Sequence, residues 1–281
     1  MRVSVACILL YDLADRARFL KDHYTDWGLL PRRLAVDKLI QERMSLYFVS
    51  GESYFTVLLF LITAICIIAL LIGYRTRLAT ALTWLLMFSL QNRGDWLNYS
   101  ADVVVRLVLL WAIFLPWGAK FSLDSAFDDR PKQKPDTVLS VATIGVVVQF
   151  CLFYGMAGWL KTGEKWLDGS ATYYALALDD FVRPLGLYAR EHKEILVYLT
   201  KSVLAFEKIG WMLLIIPYKF AFFRMLGILG FLSMQSGFGN FLHVGIFPFI
   251  STAFLTCLLP TSFWIIAARK SVKKSPYSGT H

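Results

Sequence analysis

The stretch "FYGMAGWLKTGEKW", residues 153–166, decides how this chain is read. An apolar run that starts near Val138 ends there on a lysine, Lys161, before any loop has begun. Lysine at the end of a membrane helix commonly snorkels to the interface beside tryptophan. An amine in a sheltered apolar site has another use: burial disfavours the ammonium form, whose ordinary pKa is near 10.4, and yields a base. "GMAGWLK" supplies small residues that permit close helix approach, and the flanking indoles, Trp159 and Trp166, are placed to exclude water. The spacing leaves both readings open.

Working outward, the rest of the chain argues for a membrane. Of its 281 residues 57% are hydrophobic and only 17% are charged, too few to cover a soluble domain of this length. A bilayer core takes about 20 apolar residues per helix. Runs near that length are Tyr54–Gly73, Tyr99–Gly118, Val138–Leu160 and Phe241–Ala268. Val3–Leu13, Leu78–Leu90, Ile195–Pro217 and Phe220–Met234 are shorter or carry polar interruptions. The expectation is an all-α, polytopic integral membrane bundle of about eight transmembrane helices. It forms a single transmembrane domain over residues 1–268, followed by a basic cytoplasmic tail at 269–281. The polar segments 14–53 and 165–194 are expected to lie amphipathically on the extracytoplasmic face, the former through a helix carrying Leu34, Leu39 and Met44 on one side.

The net charge of +9 does not indicate nucleic acid, because no basic run is interleaved with exposed aromatics. The cations cluster where spans end, in "YRTR" (74–77), "RPKQK" (130–134), "YKFAFFR" (218–224) and "RKSVKK" (269–274). Alternation puts all four on the cytoplasmic side with both termini, as the positive-inside rule asks, and gives the chain attraction to anionic membrane lipid. The localisation expected is the cell membrane, multi-pass. Cys7, Cys66, Cys151 and Cys257 each lie inside an apolar run and read as small packing residues.

Ionisable residues inside spans are expensive and need a reason. Asp102 and Arg106, four apart in "NYSADVVVRLVLLW", are either an internal ion pair that eases insertion or the polar wall of a cavity. Asp12 and Arg16 repeat the spacing at the end of the first run, where snorkelling explains them. Glu207 and Lys208 are adjacent and point about 100° apart, so at least one must meet a partner on another helix. His243, in "GNFLHVGIFPF", reads as a packed, hydrogen-bonded histidine more readily than as a catalyst. No H-E-x-x-H, aspartate-rich or Cys/His metal motif is present, so no metal is expected, and there is no phosphate loop or serine elbow.

Five stretches together carry a resemblance. They are "LYDLADRARFLKDHYTDWGLLP", "LLIGYRTRLATALTW", "WLNYSADVVVRLVLLWAIFLPWGAKFSLDS", "MAGWLKTGEKWLDG" and "HVGIFPFI", in order from residue 10 to about 250. The chain resembles the horizontally transferred transmembrane (HTTM) family, the bacterial relatives of the membrane part of vitamin K-dependent gamma-glutamyl carboxylase. The resemblance implies a helical membrane domain with its cavity open to the extracytoplasmic side. It also implies a lysine base for reduced vitamin K at Lys161, five residues before Trp166, and a neighbouring amide at Asn98. Tyr99 stands where the carboxylase has a histidine, and a second family histidine falls near Gln235 or Ser236. The resemblance covers the membrane part of the carboxylase and not its large peptide-binding soluble domain, so carboxylation itself does not follow from it.

Two functions are therefore expected as alternatives. One is a membrane enzyme for a menaquinol-type quinol. Its base is Lys161, Asn98 and Tyr99 position the substrate oxygen, and Asp102, Arg106, Trp159 and Trp166 shape the cofactor site, with a peptide or protein as a further substrate. The other is a non-catalytic membrane factor for peptide maturation or export, as in the sporulation-delaying toxin maturation protein B of the same broad family. A transporter fits less well, since there is no repeat pair and no pair of broken helices.

Overall fold

The computed structural model describes residues 1–35, 44–128, 139–217, 219–260 and 263. Among them the chain is helical, with one isolated antiparallel bridge, Val182 to Leu242. The basic clusters at 130–134 and 269–274, the tail at 269–281 and Leu39 lie outside the described residues. The chain divides into two compact units, Met1–Lys134 with Phe249–Ala253, and Pro135–Pro248 with the residues from Phe254 onward.

The first unit contains α1 (Arg2–Ala17), α2 (Leu20–Tyr24), α3 (Arg32–Leu34), α4 (Ser53–Ile72), α5 (Thr76–Arg93), α6 (Ser100–Ala112) and α7 (Leu123–Ala126). Helix α4 is apolar on every side, which suits a helix with lipid on one face and protein on the other. It stops at Gly73, whose φ of +75° is the left-handed conformation that glycine adopts without a steric penalty. Arg2 completes the stop by donating to the carbonyls of Leu70 and Leu71 at 2.7 and 2.8 Å, and to that of Phe121.

Helix α5 starts at once in "YRTR", and "FSLD" holds its first turn. The Asp124 carboxylate accepts from the amides of Arg75 and Thr76 at 2.7 Å each and from the Thr76 hydroxyl at 2.6 Å. The Asp124 amide returns a bond to the Gly73 carbonyl. Burial opposes ionisation of Asp124, but these donors prevail and hold its carboxyl below the usual carboxylate range. The two motifs, about fifty residues apart, are one clasp.

The second unit contains α8 (Val141–Leu160), α9 (Glu164–Leu167), α10 (Ala171–Leu176), α11 (Pro184–Arg190), α12 (Lys193–Ile209) and α13 (Phe220–Phe241); α14 (Phe247–Leu255) begins in it. Ser140 and Thr143 form a reciprocal cap at the start of α8. An aromatic core joins α8, α12 and α13: Phe231 meets Tyr154, Phe206 and Phe150 at centroid distances of 4.6, 4.8 and 5.3 Å.

Among the described residues three helices, α4, α8 and α13, are long and apolar enough to cross a membrane. The other expected spans take different bounds. Helix α1 has 16 residues and α6 has 13, with irregular chain after Ala112 where a run to Gly118 was expected. Helix α5 continues through Gln91, Asn92 and Arg93, beyond the expected Leu90, because all three are buried against protein rather than placed in water. Helix α13 runs to Phe241, beyond the expected Met234, and the chain breaks at 242–246, where Gly245 has a φ of +55° and Pro248 opens α14. The stretch expected as an amphipathic helix shows only α3 at its start; Leu34 and Met44 are exposed, and the residues between 36 and 43 are not described.

Candidate functional site

The second unit holds Lys161. The glycines of "GMAGWLK" let α8 run against α12: a Cβ on Gly158 would sit 2.7 Å from the Lys208 nitrogen, and one on Gly155 would press on the Trp211 indole. This approach brings Lys161, the residue that ends α8, to Glu207 in the last turns of α12. The amine donates to the Glu207 carboxylate, which is only 4% exposed; Lys161 itself is 21% exposed. Its nitrogen also lies 4.6 Å from the centre of the Trp166 ring. Glu207 thus finds the partner on another helix that its position beside Lys208 demanded. Trp159 departs from expectation: it is exposed and lies near Lys208, 6.0 Å from nitrogen to ring centre, so Trp166 is the indole that shelters Lys161.

Lys161 and Trp166 line a cavity of about 580 Å³ walled by α10, α11, α12 and α13. Leucine, phenylalanine and small side chains make up most of the wall, among them Leu176, Leu196, Phe206 and Phe238, with Ser202, Ser233, Ser236 and Asn240 as polar points. An apolar hollow with one charged pair at its edge has the composition of a small-molecule site. Of the two positions where a family histidine was expected, Ser236 lines the cavity. Gln235 is buried and donates to the Tyr154 hydroxyl. His243 corrects the packed-histidine reading: its side chain is exposed, and its amide donates to the Phe181 carbonyl. Cys66 and Cys151 are buried as packing residues, whereas Cys7 and Cys257 are exposed because they fall on the outer sides of their segments.

The first unit gathers the other candidates into a buried polar network. Asp102 accepts from Arg16 at 2.7 Å, from Gln91 at 2.9 Å and from the Tyr99 amide at 3.0 Å. Arg16 also donates to Asp12 at 2.9 Å and to the Tyr24 hydroxyl at 3.3 Å. Gln91 accepts from Arg106 at 2.6 Å, and its backbone carbonyl accepts from the Asn98 side chain at 2.9 Å. Asp102 is therefore an ion-pair partner of α1, and its link to Arg106 passes through Gln91. Snorkelling does not describe Asp12 and Arg16, whose side chains are 8% and 10% exposed. Their i,i+4 spacing was legible in the sequence; the cross-helix bond to Asp102 was not, because spacing carries no information about a helix eighty-six residues away.

Arg93, fully buried, donates to the carbonyls of Thr25 and Leu30 and lies over Phe48. Asp26, outside the helices, binds Arg32 through both carboxylate oxygens at 2.8 Å. Burial opposes its charge, but the Arg32 amide and guanidinium keep its carboxyl below the usual range.

Lys161, Trp159 and Trp166 belong to the second unit, and Asn98, Tyr99, Asp102 and Arg106 to the first. Two partners were missed from sequence. Gln91 gave no signal, since it follows directly on the apolar run that ends at Leu90. Glu207 gave half of one: an acid inside an apolar run that needed a cation somewhere. A family model, the HTTM domain, matches residues 46–264. No curated protein and no solved structure matches the chain.

Proposed function

The chain belongs to the HTTM family and is a membrane protein, and on that footing we propose that it binds a lipid-soluble quinol in the cavity of the second unit and deprotonates it with Lys161. The observation that carries this reading is the position of Lys161, paired with a buried carboxylate at the edge of an otherwise apolar hollow. The hollow, at about 580 Å³, falls in the range of about 300–1,000 Å³ usual for small-molecule sites. The apolar walls of α12 and α13 suit a lipid-soluble ring system, and Trp166 supports a flat one.

A quinol supplies an acidic hydroxyl. Lys161 already donates one Nζ proton to the Glu207 carboxylate. As the quinol hydroxyl proton moves to the Lys161 Nζ, the Nζ proton already donated to Glu207 moves onto that carboxylate: the quinol O–H and one N–H bond break, a new N–H and a Glu207 O–H bond form, and the ammonium remains beside the oxyanion. The apolar walls exclude water, which strengthens that electrostatic contact. Membrane topology is proposed with both termini cytoplasmic, and reporter fusions at each end test it.

The test uses the protein in lipid nanodiscs with a naphthoquinol. Lys161→Ala is expected to abolish deprotonation while the protein still elutes as a folded monodisperse species; unchanged turnover removes the base. One observation favours the alternative, a non-catalytic factor for peptide maturation or export: the amine is already engaged by Glu207 and Trp166, as a structural anchor is. That reading expects Lys161→Ala to be silent and a co-expressed peptide partner to co-purify.

A further inference from the structure

On α13 the lining of the cavity begins at Gly230 and reaches Phe241, which at 1.5 Å per residue is about 16 Å of helix. The Lys161 end is fixed by packing. A Cβ on Gly230 would strike the ring of Phe206, and Phe206 is the neighbour of Glu207, which holds Lys161. Gly237 lies two turns farther along, about 10 Å away.

The glycines of this unit differ in what they do. At Gly155, Gly158, Gly227 and Gly230 an added Cβ would meet another helix or ring, so those glycines serve helix packing. At Gly237 a Cβ would have nothing within 4 Å among the described residues, and the residue lines the cavity. Its backbone is ordinary helix, which any residue adopts, and glycine is a poor choice in mid-helix. Neither packing nor backbone geometry accounts for the absence of a side chain there. Open space does. Beside it, Ser236 and Asn240 are exposed, with the Asn240 amide donating to the Ser236 carbonyl at 2.8 Å, so the cavity meets its surroundings along this side.

We propose that Gly237 is a specificity-determining residue: by leaving the middle of the cavity open, it lets a ligand whose polar head sits at Lys161 run an apolar chain past α13 toward Phe241. The ligand class is a single-chain amphiphile with a flat or compact head. The inference rests on the quinol-binding reading for the head, while the chain path stands on the geometry of α13.

The probes are two naphthoquinones, one with no side chain and one with a long isoprenoid chain, and binding is read by quenching of tryptophan fluorescence in nanodiscs. Gly237→Leu projects its side chain into the open space without touching the fold. It is expected to weaken the long-chain probe at least tenfold and to leave the chainless one within about threefold. Gly237→Ala is expected to fall between. Equal weakening of both probes, or no change in either, overturns the inference, as does a wild-type protein that binds neither. Lys161→Met separates the two readings: if it leaves both probes bound as in the wild type, the head-group reading fails while the chain-length effect of Gly237→Leu still decides this one.

Discussion

The two units of this protein treat buried charge in opposite ways. In the first, Asp12, Arg16, Asp102, Gln91 and Arg106 satisfy one another through closely spaced hydrogen bonds across α1, α5 and α6. In the second, one ion pair, Lys161 with Glu207, sits at the edge of a hollow. A closed network locks helices together, because every member that is removed orphans others. A single pair beside open space keeps a reactive group where a ligand can reach it. The comparison teaches that polar residues within apolar segments are not equivalent evidence of function; what surrounds them separates scaffold from site.

The largest effect that would break this contrast is expected at Asp102. Asp102→Ala leaves Arg16 buried with one carboxylate, Asp12, and the Tyr24 hydroxyl, and removes the acceptor of Gln91; loss of one partner of a buried pair costs about 3–5 kcal/mol. Thermal unfolding in detergent is expected to show this as a large drop in midpoint or as failure to recover folded protein. A silent Asp102→Ala would mean that the network does not lock the first unit.

Next comes the pair in the second unit. Lys161→Met strands a buried carboxylate and is expected to destabilise by a few kcal/mol. Lys161→Met with Glu207→Gln is expected to recover most of that loss, with a coupling of about 1–3 kcal/mol in a double-mutant cycle. Additive losses would show that the two side chains do not depend on each other.

Two glycines sharpen the comparison further. Gly158→Ala is expected to cost about 1–3 kcal/mol, since its Cβ meets the α12 backbone. Gly237→Ala, facing open space, is expected to stabilise α13 by about 0.5–1 kcal/mol, because glycine in mid-helix is that much worse than alanine. The same substitution on neighbouring helices thus has opposite sign, and equal signs would refute the open space at Gly237.

An effect about as small as that at Gly237 is expected at the clasp. Asp124→Ala removes the acceptor at the start of α5 and is expected to cost about 1 kcal/mol, the usual loss for a helix cap. Because the Asp124 carboxyl is held below its ordinary value, its contribution is complete above the normal carboxylate range near pH 4 and disappears as pH falls through the lowered folded value. The wild type is therefore expected to lose midpoint on acidification by more than Asp124→Ala does; parallel curves would exclude the clasp as a source of acid sensitivity.

Much of this was legible in the chain. The apolar runs at 54–73 and 138–160 announced α4 and α8, since a bilayer demands length and apolarity in one continuous segment. The need of Glu207 for a partner was legible from its angle to Lys208, and the approach of α8 to a neighbour from Gly155 and Gly158. "QNR" misled, because polar residues at the end of an apolar run look like a loop when the protein that buries them is out of view. His243 misled in the opposite direction: an apolar neighbourhood in sequence does not place a side chain inside when the helix has broken at 242–246.

By itself, then, the sequence determined that this is a helical membrane protein of the HTTM family and that Lys161 stands where an apolar helix ends. Only the tertiary structure decided that Glu207 is the partner of Lys161, that Arg16 rather than Arg106 pairs with Asp102, and that Gly237 faces empty space. The physical reason is that hydropathy and spacing act along one chain segment, whereas an ion pair or a cavity is made by segments that meet only when the helices pack.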